Sequence, residues 1–297
     1  MIAVLFHLCA AMPLQVFQSL WGMIGLPRNA PAWSPTEQLD AIVDAGFDGA
    51  SISFDNPTAA ADIARQAADR GLRIEVVCYP VTPGEFDDLL VVLDQVPGIA
   101  HIDAQPLLRT PHLDVAAKAI QQWYASADEA GLPLLIETHR ARLTCDILFT
   151  CELLDAVPRM RVTADLAHYV TGDEFGLPLS ERNQALIDKL LARSDVFHGR
   201  VSSPGQIQVP LRDRQSEPLL ELFSSWWRRG FELRRAENPD AAVVFTTELG
   251  PPDHWYGLLD PDGTERTDRW AEALDLADIA RSLWAAESPR DRQGQLS

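Results

Sequence analysis

The sequence predicts the α/β class and, within it, a single (β/α)8 TIM barrel, on three observations. Short apolar runs suited to strands alternate with helical runs eight times along 297 residues, about 37 residues per unit. Acidic and imidazole side chains stand where the later strands stop, as they do on the catalytic rim of a barrel. The rival, a doubly wound sheet, often carries a Gly-rich phosphate turn, and the chain contains neither GxGxxG nor GxxxxGK[ST].

The units follow in order. Leu14 to Met23 is the first strand. Ser34-Pro-Thr-Glu37 is a capping box with Pro at the first helical position, opening a helix that runs to Gly46. Phe47 to Phe54 is the second strand and Thr58 to Gly71, rich in alanine, the second helix. Leu72 to Tyr79 is the third strand, Asp87 to Val96 the third helix and Ile99 to Gln105 the fourth strand. The helix from His112 is stopped by Gly131 and Pro133. Leu132 to Ile136, ending in Glu137, is the fifth strand, and Arg161 to Ala164, ending in Asp165, the sixth. A helix over Ser180 to Ser194, a strand over Val196 to Val201 and a helix over Pro218 to Arg235 come next. Ala241 to Glu248 is the eighth strand, and a long closing helix spans Thr264 to Glu287.

With no low-complexity linker inside, residues 1–297 form one domain. Residues 1–12 are an N-terminal extension and 288–297 a disordered polar tail. The apolar start lacks a basic segment and is too short to span a bilayer, and no other run reaches ~18 apolar residues. Cys9, Cys78, Cys145 and Cys151 form no CxxC pair or metal-ligand spacing, which suggests reduced, mostly buried thiols in a cytoplasmic protein. Acidic residues outnumber basic ones 43 to 25, for a net charge of −18. That balance opposes nonspecific binding to nucleic acid or to an anionic membrane. The Trp226-Trp227-Arg228-Arg229 run, with Arg234 and Arg235, is expected on the outer face of its helix, solvated or in contact with another subunit of a homo-oligomer.

Chemistry is expected at the strand ends. Glu137, Asp165, His198 and Glu248 follow one another at intervals of about 28, 33 and 50 residues, roughly one barrel unit each. Taken singly, a glutamate there is often a helix cap or ion-pair partner, and a histidine such as His198 is usually a satisfied core residue. Four in register on successive strands argue for a shared metal site. Three carboxylates and one imidazole suit Mn2+, Co2+ or Mg2+ better than a structural Zn2+, although Zn2+ stays within the range such a set accepts.

These segments carry a resemblance. IETH ending at His139, ADLAHY around Asp165 and His168, FHGRV around His198 and Arg200, and TTELGPP around Glu248 are similar to the xylose isomerase-like TIM barrel superfamily. Its sugar phosphate isomerase/epimerase group includes D-tagatose 3-epimerase and, more distantly, AP endonucleases. The resemblance is best from Leu132 to Tyr256; earlier it extends to barrel rhythm and to SLWGM at Ser19 to Met23. It implies that Glu137, Asp165, His198 and Glu248 hold the metal and that His168 contacts substrate. Two positions depart from the ketose epimerases. Leu143 stands where a second acidic residue follows the first metal Glu, and Pro204 where an Arg follows the metal His.

The implied activity is isomerisation or epimerisation of a small sugar, sugar phosphate or polyol through an enediolate. Glu137 and Glu248 would move the proton, with His168, Arg200, His139 and Gln105 against the substrate. His139 serves equally as an orienter of a metal ligand. Trp21, Tyr79, Trp255 and Tyr256 also fall near strand ends, where aromatic walls or plain packing account for them. Two alternatives remain: a metal-dependent lyase or hydrolase on the same scaffold, such as a polyol dehydratase or an AP-endonuclease-like enzyme, and a catalytically silent accessory barrel. The endonuclease version needs extra histidines, for which His101 and His112 are the candidates.

Overall fold

The computed structural model describes residues 14–28 and 30–286. The expected extension at 1–12, Cys9 and the expected tail at 288–297 lie outside the described residues. Eight strands close into one parallel barrel in sequence order: β1 (Leu14–Ser19), β2 (Gly49–Ser53), β3 (Arg73–Cys78), β4 (Ile99–Ala104), β5 (Leu134–Glu137), β6 (Val162–Ala164), β7 (Ser194–Gly199) and β8 (Val243–Thr247). The seam joins β1 to β8, with Leu14 opposite Val243 and Gln18 opposite Thr247. This is the (β/α)8 barrel that the strand rhythm predicts.

Around it lie α1 (Pro35–Asp44), α2 (Pro57–Asp69), α3 (Pro83–Leu93), α4 (Leu113–Ala130), α5 (Ile147–Ala156), α6 (Ala167–Gly172), α7 (Glu181–Leu191), α8 (Glu217–Glu237) and α9 (Arg269–Ala286). Their starts follow local chemistry. The Ser34–Glu37 capping box forms as expected, and Gly131 ends α4 with a left-handed φ of 68°. A second capping box, Thr82–Glu85, starts α3 four residues before the expected Asp87.

Four expectations change. The first strand ends at Ser19, and Trp21–Met23 is a 3-10 turn. That turn brings Gly22 against the Leu249 carbonyl, where an added Cβ would come within 3.0 Å. The closing helix starts at Arg269 because Leu259 and Glu265 pair as an antiparallel bridge, which holds the intervening chain in a turn. The short helix α6 was not anticipated. Finally, Trp226 and Trp227 are core residues, not surface ones: they are 1% and 0% exposed, and Trp227 meets the Phe245 ring edge-on at 5.1 Å. Burying such rings stabilises by roughly 1.5–3 kcal/mol each, more than any rim contact could supply. Only Arg228 and Arg229 of that run face solvent.

The barrel interior is layered. Phe17, Leu135, Val196 and Val244 form an apolar plug, separate from the large core between sheet and helices. Gly49 admits the Phe17 ring where a Cβ would stand only 2.5 Å from it. Polar groups occupy the interior beyond this plug. Cys78 and Cys151 are buried and Cys145 half-buried, all as free thiols. No described helix is long and apolar enough to cross a membrane.

Candidate metal centre

Glu137 is the last residue of β5, Asp165 follows β6 directly, His198 is the penultimate residue of β7 and Glu248 follows β8 directly. The four are at most 7% exposed, and one ligand atom from each lies within 4.8 Å of the others. His198 Nδ1 stands 3.1 Å from Glu248 Oε2, 3.9 Å from Asp165 Oδ2 and 4.0 Å from Glu137 Oε1. The spacing along the sequence thus becomes a point in space.

Two of the carboxylates have one oxygen tied and one free. Gln105 Nε2 donates to Glu137 Oε2 at 2.7 Å, and the Ala167 amide donates to Asp165 Oδ1 at 3.0 Å. Their other oxygens, Glu137 Oε1 and Asp165 Oδ2, and both nitrogens of His198 are buried and make no hydrogen bond, although Arg200 Nε stands 3.6 Å from Asp165 Oδ2. Free lone pairs on a dry, convergent set are costly unless something cationic meets them. Mostly oxygen donors around one imidazole fit a hard divalent ion.

Backbone ties hold the rim. Thr138 Oγ1 donates to the Asp165 carbonyl at 3.0 Å, and Thr144 Oγ1 to the Glu137 carbonyl at 2.5 Å. Arg200, 1% exposed, donates from Nη2 to Glu248 Oε2 at 2.6 Å and from Nε to the Glu248 carbonyl.

The electrostatics separate the two glutamates. Burial, then the charge of Asp103, pushes the Glu137 carboxyl well above its ordinary range. Burial also pushes Glu248 up, but His198 and Arg200 outweigh it and hold Glu248 below that range. Burial raises Asp165 despite the nearby Arg200. His198 is driven down by burial and then, more strongly, up by Glu248 and its other carboxylate neighbours.

Each remaining predicted residue has a definite place. His168 sits in α6, 1% exposed, with neither ring nitrogen partnered. Its ring lies 3.8 Å from that of His139, centroid to centroid. Burial lowers both imidazoles, His139 to about 3 with help from the Arg142 charge. Gln105, His139, Arg200, Trp21, Tyr79 and Tyr256 line a cleft of about 230 Å³ at the barrel mouth. The Arg200 guanidinium stacks 4.7 Å over Tyr256. Trp255 is 91% exposed and outside the cleft lining. His101 points into the barrel below the site, and His112 is exposed at the start of α4, so neither adds a ligand to the four.

A layer beneath the centre escaped the sequence reading. Glu75 and Asp103, both 0% exposed, lie 3.8 Å from His198 Nε2. Glu75 accepts hydrogen bonds from His101 at 2.8 Å and Thr246 at 3.0 Å. Those bonds and His198 outweigh burial, which raises it, and leave Glu75 below its ordinary range. Asp103, pushed up mainly by burial, reaches about 6. The available signal was a charged residue inside the otherwise apolar run Ile74–Cys78.

No protein-family model matches the sequence, and no curated protein matches it significantly. Solved structures do match in shape. D-psicose 3-epimerase, crystallised in the presence of D-fructose, superposes with a TM-score of 0.58 at 14% identity, covering 91% of this chain and 99% of its own. A xylose isomerase-like TIM barrel protein from Mycobacterium smegmatis, in complex with magnesium, gives 0.56 at 14% identity, with 92% and 98% covered. A sugar phosphate isomerase/epimerase from Parabacteroides distasonis gives 0.57 at 11% identity, with 95% and 98% covered. The chain therefore shares the barrel fold of these solved structures.

Proposed function

We propose that the protein is a divalent-metal-dependent isomerase or epimerase of a small sugar, sugar phosphate or polyol, working by proton transfer through an enediolate. The observation that carries this reading is the convergence of Glu137, Asp165, His198 and Glu248, the first three with buried ligand atoms that make no hydrogen bond. An ion held there would supply Lewis-acid polarisation of a carbonyl and its neighbouring hydroxyl. The neighbouring folds, described as sugar epimerases and isomerases, support the same class.

The chain's own residues divide the remaining work. Glu248, held low by Arg200 and His198, is the carboxylate suited to take the proton beside the carbonyl. Glu137, from the other side, returns a proton to the other face or the adjacent carbon. They come from strands three positions apart in the barrel, so a substrate between them meets one on each side. Arg200, His139 and Gln105 line the cleft around the remaining oxygens, with His168 buried against His139, and the Trp21–Tyr256 wall packs against the carbon face.

The test is solvent deuterium incorporation into a panel of ketoses and their phosphates, with Mn2+, Co2+ or Mg2+ added to chelator-treated protein. Exchange beside the carbonyl should appear only with metal. In Glu248→Gln it should fall on the order of 100-fold or more while the melting curve persists. Exchange accompanied by loss of water would assign a dehydratase instead. No exchange with any ion, or full exchange in Glu248→Gln, would remove this assignment.

A further inference from the structure

We infer that Glu137, His139 and His168 hold a second divalent cation, so that Glu137 bridges a dinuclear centre. The inference rests on the metal-centre reading above and deepens it: the two histidines then reach the substrate through an ion instead of directly.

Three independent features converge here. First, one ligand atom from each of Glu137, His139 and His168 lies within 4.8 Å of the other two. Donors around one ion at ~2.1 Å stand about 3.4 Å apart, so binding requires closure of roughly 1 Å. Second, the imidazoles are prepared for it. His139 Nδ1 meets the Arg140 carbonyl oxygen, which places the proton on Nδ1 and leaves the Nε2 lone pair free. His168 is 1% exposed and neither of its nitrogens makes a hydrogen bond, Nε2 standing 3.5 Å from Asp165 Oδ2. A histidine buried only for packing would ordinarily satisfy at least one of them.

Third, the interior is short of positive charge. Glu75, Asp103, Glu137, Asp165 and Glu248 are all at most 7% exposed, and Arg200 is the one buried arginine among them. The charges of Arg142 and Arg200 reach His139, and those of Arg200 and Arg140 reach His168, so a second cation binds against them. Two imidazoles and one carboxylate are the donor set of Zn2+, Mn2+, Co2+ or Fe2+, softer than the neighbouring four-residue set.

The experiment counts ions. Protein stripped with chelator is dialysed against Mn2+, and tightly held metal per chain is measured by elemental analysis, with electron paramagnetic resonance on the same samples. The wild type should hold two ions with a spin-coupled spectrum. His168→Ala and His139→Ala should each hold one, with the spectrum of an isolated ion, and Glu137→Gln should weaken both sites at least about tenfold. His139 is only half-buried, so its variant keeps the test sound if His168→Ala fails to fold. One ion in the wild type, or two retained in both histidine variants, overturns the second site and leaves the mononuclear centre standing. No tightly held ion in the wild type overturns both.

Discussion

Arg200 grips Glu248 at both ends, its Nη2 on the carboxylate at 2.6 Å and its Nε on the backbone carbonyl at 3.0 Å. The pair is buried, so the planar fork fixes the rotamer of the glutamate and also lowers its proton affinity.

Removing the fork should therefore strand a buried carboxylate. Arg200→Met is expected to destabilise the metal-free protein by about 3–5 kcal/mol, as breaking one side of a buried pair does. Saturating divalent ion should recover part of the loss, because the ion meets the same carboxylate. Urea unfolding with and without Mn2+ measures both. Equal stability of variant and wild type without metal would show that Glu248 does not depend on Arg200.

Gln105 touches the centre only through Glu137 and through the cleft wall. Gln105→Leu keeps the bulk and deletes the donor, freeing the Glu137 carboxyl to rotate. Affinity for Mn2+ is expected to fall 10- to 100-fold, the usual cost of losing an outer partner of a ligand. An unchanged titration curve would dismiss Gln105 as an orienter.

Far from the centre, Glu272 on α9 is 2% exposed and accepts the Leu211 amide at 2.9 Å. Burial, only partly offset by the Leu211 and Arg212 amides, pushes its pKa up to about 7 from an ordinary 4.5. The folded state then binds more protons than the unfolded one between these values. Stability from this group is present below pH 4.5 and is lost as pH rises through about 7. Glu272→Gln keeps the acceptor and removes the titration. Its stability relative to wild type should rise by on the order of 2 kcal/mol between pH 5 and pH 8 in urea unfolding. A constant difference across that range would mean that Glu272 is ionised when folded.

Most of the barrel was legible because strand runs, helix periodicity and caps such as Ser34–Glu37 are local signals. The four strand-end residues were legible because a barrel converts one-unit spacing into proximity. Glu75 and Asp103 were not, since a charge within a strand ordinarily marks its solvent face, and a closed barrel has a second inside. Trp226 and Trp227 were misplaced because the arginines after them suggested a wet face. The helix turns between the two pairs, leaving Arg228 and Arg229 outside, Trp227 against Phe245 of β8 and Trp226 bonded to Gln184 of α7. The His139–His168 stack depends on α6, six residues too short to announce themselves by period.

The seam between β1 and β8 has a kinetic meaning. Thr247 Oγ1 donates to Gln18 across 229 residues of chain, and β1 has no partner on that edge until β8 exists. During synthesis β1–β7 must wait as an open sheet, with one flank of the first strand unprotected. Glu248 follows the last strand, so the full ligand set appears only as the ring closes. An ion bound by that set would latch the finished barrel, slowing its opening, without seeding its assembly.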